Sequence, residues 1–160
     1  MPREESSVTA STQANEGHMT RAEIVALFER RQIANDNLDA ATLAADYADD
    51  CIVDSPTGGT HNGRAAVQSV LEAVFDAFLD MKMRTEHLVI DGDHVAQVLS
   101  IEGSNIGGFL GLEASGKPFR LAAFFRLVMV NKKARQIHHA GHPGDHGDNV
   151  KRLNPRIDPA

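Results

Sequence analysis

The spacing of apolar positions divides the chain into an N-terminal helical part and a C-terminal part made of strands. Between Thr20 and Phe78, apolar residues recur at the three- and four-residue intervals of amphipathic helices. From Met81 onward they alternate with polar residues, as in half-buried strands. Helices followed by a run of hairpin-linked strands are typical of an α+β fold with helices on one face of an antiparallel sheet.

The first half of the chain predicts three helices. Thr20 followed by Glu23 has the spacing of a capping box, which begins the first helix. A second helical stretch is expected from about residue 38 to residue 47. Asn62 or Gly63 opens the third helix. Its apolar residues form the clearest helical stripe in the chain, namely Val67, Val70, Leu71, Val74, Phe75 and Phe78.

Strands are predicted over residues 51–55, 81–91, 94 to about 103, 119–130 and 134–140. Turn-forming residues separate the last four, and residues 131–133 make the last hairpin turn. In the strand that begins at Met81, alternation places Met83, His87 and Val89 on one apolar face. The imidazole of His87 is therefore expected to point into the protein interior.

Composition and charge limit the classes of partner. The chain has 160 residues, of which 42% are hydrophobic, and this is enough for one domain with its own core. The domain is expected over residues 19–142, after a disordered leader (1–18) and before a polar tail (143–160). The net charge is −6 and the sequence contains no basic cluster, so neither nucleic acid nor a membrane surface is an expected partner. No apolar run is long enough to span a membrane, and the single cysteine, Cys51, allows no internal disulfide. A cytoplasmic location is therefore expected.

Two stretches of sequence resemble a known family. Residues 47–56, with the sequence YADDCIVDSP, and HNGR at residues 61–64 resemble a segment shared by ketosteroid isomerases and SnoaL-like proteins. Residues 103–119 contain GSN, GGFLGL and ASGKPF, which resemble a connection typical of SnoaL-like polyketide cyclases. The resemblance implies an NTF2-like α+β fold, in which a cone-shaped, curved antiparallel sheet wraps around about three N-terminal helices. It also implies a pocket for a hydrophobic small molecule, no cofactor, and a homodimer formed through the open sheet face.

The resemblance also identifies positions at which this chain departs from the family pattern. Ser55 falls where the isomerases carry their catalytic aspartate, and Ala123 falls where they carry an oxyanion-hole acid. Asn105 replaces the histidine of the cyclase motif, and Arg31 aligns with the helix-one tyrosine of the isomerases. Because steroid isomerisation needs a carboxylate base and donors at the developing enolate, the standard chemistry is not expected here.

Histidines are the main catalytic candidates. His87 is the first, and the alternative is a core histidine bonded to one backbone carbonyl. His138 and His139 are consecutive on a strand, so one of them faces the interior and the other faces outward. The parity stays open, with a slight preference for His138 as the inward residue that would act with His87 as acid and base. The alternative is a satisfied core position and a histidine at a dimer surface.

A further set of residues is expected to bind the ligand through polar groups or apolar contacts: Arg31, Ser55, Asn105, Phe109, Leu121, Phe125 and His139. Arg31 continues the buried stripe of helix one, and its alternative is an arginine that extends to solvent at the helix end. Asn105 has an alternative role in stabilising its own loop. The four histidines between residues 138 and 146 lie in a Gly- and Pro-rich region without fixed spacing, so no metal site is expected. Cys51 is expected to pack rather than react.

Two functions remain open at this point. The first is a cofactor-independent acid/base enzyme, of isomerase, cyclase or dehydratase type, that acts on a hydrophobic carbonyl or polyketide-like compound. The second is a noncatalytic ligand-binding or dimeric interaction module that keeps the fold without the catalytic carboxylates. Two inward titratable groups beside one ligand position would favour catalysis, whereas a filled or wholly apolar cavity would favour binding.

Overall fold

The computed structural model describes residues 17–55, 59–104, 106–107 and 113–140, and within these ranges it contains three helices and six strands. In chain order the elements are α1 (Arg21–Asp36), α2 (Ala40–Ala44), β1 (Tyr47–Ser55), β2 (Gly59–Asn62), α3 (Arg64–Ala77), β3 (Lys82–Asp91), β4 (His94–Ser104), β5 (Pro118–Val130) and β6 (Lys133–Ala140). The six strands form one curved, open sheet in the order β2-β1-β6-β5-β4-β3. Neighbouring strands are antiparallel, except that β1 and β6 are parallel. The predicted α+β fold is confirmed.

The helices begin and pack largely as their sequences predict. The hydroxyl of Thr20 accepts a hydrogen bond from the Glu23 amide, and the Glu23 carboxylate accepts one from the Thr20 amide, so the capping box is present. Ile24, Leu27 and Phe28 on α1 then pack into the main core against β4, β5 and β6. A second apolar cluster joins the end of α1 to α2, α3 and the residues that precede and begin β3. The helices thus cover one face of the sheet.

The region between α1 and α3 differs from the prediction. The helix expected over residues 38–47 ends at Ala44, and Tyr47 instead begins β1, opposite Ala134 of β6. The amide of Ala134 donates to the carbonyl of Asp46 (2.9 Å), so pairing with a strand distant in sequence overrides the helical pattern here. The strand β2 was not predicted. It pairs with β1 and places His61 opposite Val53.

A bulge in β3 reverses the expected orientation of His87. Thr85 pairs with Leu99 but His87 pairs with Val98, so Glu86 is an extra residue that has no residue opposite it in the register with β4. Met83 and Thr85 face inward before the bulge, whereas Leu88 and Ile90 face inward after it. The prediction that His87 points into the interior is wrong, because the side chain is exposed.

The side chain of Gln32 on α1 binds the backbone next to this bulge. Its amide nitrogen donates to the carbonyl of Met83 (2.6 Å), and its oxygen accepts from the amide of Thr85 (3.2 Å). These bonds use backbone groups of the edge strand that have no partner on a further strand. The bulge is therefore tied to the helical layer.

A second bulge, in β6, fixes the orientation of the two consecutive histidines. A hairpin turn joins β5 to β6 as predicted, but it contains two residues rather than the expected 131–133, since Lys133 already pairs with Val130. Asn131 and Lys132 both have positive φ (50° and 62°), as such a turn requires. Continuous pairing from that turn would put His138 opposite Phe125. The pairing shifts by one residue beyond Met129 and Ala134, so His139 stands opposite Phe125 instead. His139 faces inward and His138 outward, opposite to the preference derived from the sequence.

Candidate active site: an apolar cavity with two imidazoles

A cavity of about 200 Å³ lies between α3 and the concave face of the sheet. Its lining is dominated by apolar side chains from α3 and from β1, β3, β4 and β5. The described lining residues are Tyr47, Val53, Ser55, His61, Val67, Val70, Leu71, Val74, Phe75, Met81, Met83, Ile101, Phe125 and His139. None of these is a carboxylate, so the polar inventory of the wall consists of two imidazoles, a hydroxyl and a phenol.

His139 is held in the cavity wall by two contacts. Its ring stacks on the ring of Phe125, with centroids 4.5 Å apart and planes 7° from parallel. Its Nδ1 lies 3.3 Å from the hydroxyl oxygen of Ser55 at the end of β1. Nε2 is buried and has no hydrogen-bond partner within the described part of the chain. Burial lowers the pKa of His139 below its ordinary value, so the imidazole is neutral near pH 7.

His61 supplies the second imidazole from the edge strand β2. It pairs with Val53, and residues directly opposite each other in an antiparallel pair point to the same face of the sheet. Gly63, with φ of 85°, follows β2 and donates its N–H to the carbonyl of Cys51 (2.7 Å), which joins the end of β2 to β1. The Nε2 of His61 is also buried without a partner among the described residues. Both imidazoles of the cavity wall therefore have a buried Nε2 without a partner in the described part of the chain.

His61 was not among the residues selected from the sequence. It lies within the HNGR segment that carries the family resemblance. The direction of its side chain follows from the strand β2, which was not predicted. A signal was nevertheless present, since a hairpin that returns after Pro56 brings a residue of β2 opposite the inward-facing Val53.

Arg31 lies behind the cavity wall and is not part of the described lining. Its guanidinium donates to the hydroxyl of Tyr47 (3.2 Å) and the carbonyl of Leu43 (3.3 Å), and it lies 3.4 Å from the carboxylate of Asp46. It also lies over the ring of Tyr47, 5.1 Å from the centroid. The alternative in which Arg31 extends to solvent is wrong, because only 11% of its side chain is exposed.

Only some of the other predicted site residues lie at the cavity. Ser55 and Phe125 line the cavity, and Leu121 lies four residues before Phe125 on β5, half-buried and opposite Ile101. The predicted catalytic pair of His87 and His138 is not brought together, because both side chains are exposed. Asn105 and Phe109 lie outside the described residues.

Residues outside the cavity account for the remaining polar candidates. His138 lies 3.4 Å from the carboxylate of Asp54, which occupies the face of β1 opposite to the cavity. Cys51 is fully buried in the main core, and burial raises the pKa of its thiol, so the residue packs as expected. Within the described ranges, no three His, Cys, Asp or Glu side chains converge as a metal site would require. None of the helices described here has the length and apolar character needed to cross a membrane.

The helices on one face of a curved, open sheet define a protein of the NTF2-like class. The family model described as "SnoaL-like polyketide cyclase" matches residues 25–140. The chain therefore belongs to the SnoaL-like polyketide cyclase family, and the resemblance inferred from residues 47–64 and 103–119 is confirmed.

Comparison with solved structures gives the same fold at low sequence identity. The chain is similar to TsrD from Streptomyces laurentii (TM-score 0.69, 19% identity), over 77% of this chain and 90% of TsrD. It is similar to AclR from Streptomyces galilaeus (TM-score 0.67, 17% identity), over 84% of this chain and 95% of AclR. A protein with a ketosteroid isomerase-like fold from Catenulispora acidiphila, in complex with trimethylamine, has a TM-score of 0.60 and 15% identity, over 76% of this chain and 86% of that protein. No match was found among curated proteins.

Proposed function

We propose that the protein is a cofactor-independent acid/base enzyme that acts on a small hydrophobic carbonyl compound, with His139 and His61 as the proton-transferring pair. The observation that carries the proposal is the pair of imidazoles in one apolar cavity wall, each with a buried Nε2 that has no hydrogen-bond partner among the described residues. Buried polar atoms are normally hydrogen-bonded, so unsatisfied atoms in a cavity wall indicate where a ligand binds. This pair replaces His87 and His138 as the catalytic candidates.

His139 has the properties of a general base. Its lowered pKa keeps the imidazole neutral near pH 7. In a neutral imidazole one ring nitrogen carries a hydrogen and the other nitrogen has a free lone pair that can accept a proton. When Nδ1 donates to the oxygen of Ser55, Nε2 is left as the acceptor. His139 would take a proton from a carbon activated by the carbonyl, leaving an enolate. The resulting imidazolium returns a proton to the same or a conjugated carbon, so that isomerisation leaves the enzyme unchanged. Where His61 supplies that proton instead, His139 releases its proton to solvent and His61 takes one up before the next turnover.

The cavity limits the size of the substrate. A dry, apolar cavity of about 150 Å³ accommodates benzene. At about 200 Å³, this cavity accommodates one six-membered ring with small substituents. A single-ring ketone therefore fits the described wall better than a fused polycyclic compound does.

The alternative is a noncatalytic module that binds a hydrophobic small molecule. The observation that favours it is the absence of any carboxylate among the described lining residues. Without such a group, the pocket depends on imidazoles alone for proton transfer. Apolar burial by itself is sufficient for binding.

Proton exchange separates the two functions without knowledge of the natural substrate. Cyclohexanone and 2-cyclohexen-1-one are incubated with the protein in D₂O, and loss of the ring protons next to and conjugated with the carbonyl is followed by NMR. Catalysis predicts faster exchange that is lost in His139→Gln and reduced in His61→Gln. Binding of either ketone without exchange above the buffer rate would instead establish the noncatalytic module.

The matched control for this experiment is His138→Gln. It removes the neighbouring imidazole, which is exposed on the other face of β6, and it should leave the exchange rate unchanged. Unfolding temperatures of all variants are measured in parallel, because a loss of exchange counts only where the fold is retained. Equal losses in His138→Gln and His139→Gln would refute the assignment of the base.

A homodimer and a cytoplasmic location complete the proposal. The outward sheet face carries Phe124 and Ile52, two large apolar side chains with exposed surface, in support of an interface there. A mass of one 17.3 kDa chain by light scattering would contradict the dimer. The single Cys51 offers no disulfide that would require an oxidising compartment.

A further inference from the structure

Tyr47 contributes a phenol to the cavity wall at the opposite end of β1 from Ser55. It is the first residue of the strand, only 6% of it is exposed, and it is part of the cavity lining. Behind it, the guanidinium of Arg31 donates to its oxygen (3.2 Å) and lies across its ring. The ring is therefore fixed from the side away from the cavity.

The hydrogen bonds of this phenol are incomplete. A phenolic hydroxyl both donates and accepts, whereas a guanidinium only donates. Arg31 therefore occupies a lone pair of the oxygen and leaves the O–H proton to find another partner. The described part of the chain offers no acceptor for that proton, although buried donors are normally paired. The acceptor is thus expected to come from the content of the cavity.

The position of Arg31 is itself determined by other groups. Its guanidinium also donates to the carbonyl of Leu43 and contacts the carboxylate of Asp46. A cation held by these three acceptors stays beside the phenol and cannot take the place of its O–H group in the cavity wall. A charged donor on the oxygen also polarises the O–H group and strengthens it as a donor.

We propose that Tyr47 donates a hydrogen bond to the carbonyl oxygen of the bound compound, and that Arg31, held by Asp46, is the positioning residue for this phenol. This inference rests on the proposed function, because it defines the ligand class for the same cavity. The ligand is a single-ring ketone that places its oxygen at Tyr47 and its exchangeable C–H toward the imidazoles of His61 and His139. At a developing enolate, the same phenol stabilises the negative oxygen.

The test compares two ligands of equal size that differ in the acceptor, cyclohexanone and methylenecyclohexane. Tyr47→Phe should weaken cyclohexanone binding about 2- to 10-fold, the usual effect of one neutral hydrogen bond, and leave methylenecyclohexane binding unchanged. Affinities are measured by NMR titration. Equal effects on both ligands, or none on cyclohexanone, would overturn the assignment.

A spectroscopic readout tests the contact in the unmodified protein. Tyr47 is the only tyrosine and the chain has no tryptophan, so its near-UV tyrosine band reports on this residue alone. Cyclohexanone should shift that band to longer wavelength, and the carbonyl ¹³C signal of labelled cyclohexanone should move downfield on binding. A carbonyl signal that is the same in wild type and Tyr47→Phe would refute the hydrogen bond.

Variants of Arg31 test the positioning role. Arg31→Met should reduce both spectral shifts while the protein stays folded, and Arg31→Lys should restore part of them because it keeps a charged donor. Shifts that are unaffected in Arg31→Met would show that Tyr47 needs no positioning residue.

The outcomes for Tyr47 and for catalysis are separate. His139→Gln abolishes proton exchange, yet it should leave the Tyr47 band shift intact. A shift without any exchange in wild type would reject the enzyme and keep the ligand contact. Exchange that depends on His139 but not on Tyr47 would reject the contact and keep the enzyme.

Discussion

The carboxylate of Asp46 binds two arginines, and replacing each arginine in turn tests whether burial or distance determines the strength of an ion pair. The contact to Arg30 is the shorter one, at 2.9 Å, and the contact to Arg31 is 3.4 Å. Arg30 is 57% exposed, whereas Arg31 is 11% exposed and Asp46 10%. Distance alone would rank Arg30 first. Burial ranks Arg31 first, because solvent screens the exposed pair.

The expected loss of unfolding free energy differs several-fold between the Arg30 and Arg31 variants. An exposed ion pair contributes about 0 to 1 kcal/mol, so Arg30→Met should lower the free energy of unfolding by at most about 1 kcal/mol. Removing one partner of a buried pair costs about 3 to 5 kcal/mol. Arg31→Met should fall at the lower end of that range, at about 3 kcal/mol, since Asp46 keeps Arg30. Asp46→Asn should cost as much or more, because it leaves a buried guanidinium without its counterion.

Urea denaturation followed by far-UV circular dichroism measures these free energies without relying on the fluorescence of Tyr47, which Arg31 contacts. The dependence of the free energy on urea should be unchanged among the variants, so that the midpoint reports stability alone. Equal losses for Arg30→Met and Arg31→Met, or a larger loss for Arg30→Met, would refute the argument that burial outweighs distance here.

Three further predictions concern the cavity and the sheet. The pKa of His139 is lower in the folded state than in the unfolded chain, so the unfolded chain binds a proton first as the pH falls. The free energy of unfolding should therefore decrease as the pH drops from about 6.5 through the folded pKa. Thermal scans of His139→Gln should show a flatter pH dependence over that window. His87→Gln should change the free energy of unfolding by less than about 0.5 kcal/mol, because the side chain is exposed, and a larger loss by urea denaturation would restore its predicted interior position. Val74→Phe should place a ring in the cavity and abolish binding of cyclohexanone by NMR titration while the fold is retained.

The sequence predicted the fold well because helical and alternating patterns each extend over many residues. The stripe of α3, the capping box of α1 and the hairpin turn at Asn131 and Lys132 are all present in the structure. The boundary near Tyr47 was missed because its strand pairs with β6, which is nearly 90 residues later in the chain. No local pattern contains that contact.

The orientations of the histidines were missed for a different reason. A strand alternates strictly, so one extra residue reverses every side chain that follows it. Glu86 reverses His87, and the shift in β6 exchanges His138 for His139. Neither bulge contains a glycine or proline that would mark it, and the first is stabilised by Gln32, a residue of α1. Bulges of this kind depend on tertiary contacts, and so the site was less predictable than the fold.

The described cavity wall has no carboxylate, yet it is compatible with the proposed acid/base chemistry. Desolvation in an apolar cavity opposes the charged form of any titratable group. Burial at position 55 would raise the pKa of a carboxyl group and so favour its neutral acid, which is not a base. An imidazole is a base in its neutral form, so burial lowers the pKa of His139 without removing its ability to accept a proton. A serine at position 55 in place of the isomerases' aspartate is therefore consistent with two half-buried imidazoles in the same wall. Proton exchange that depends on His139 is the result that would support this explanation.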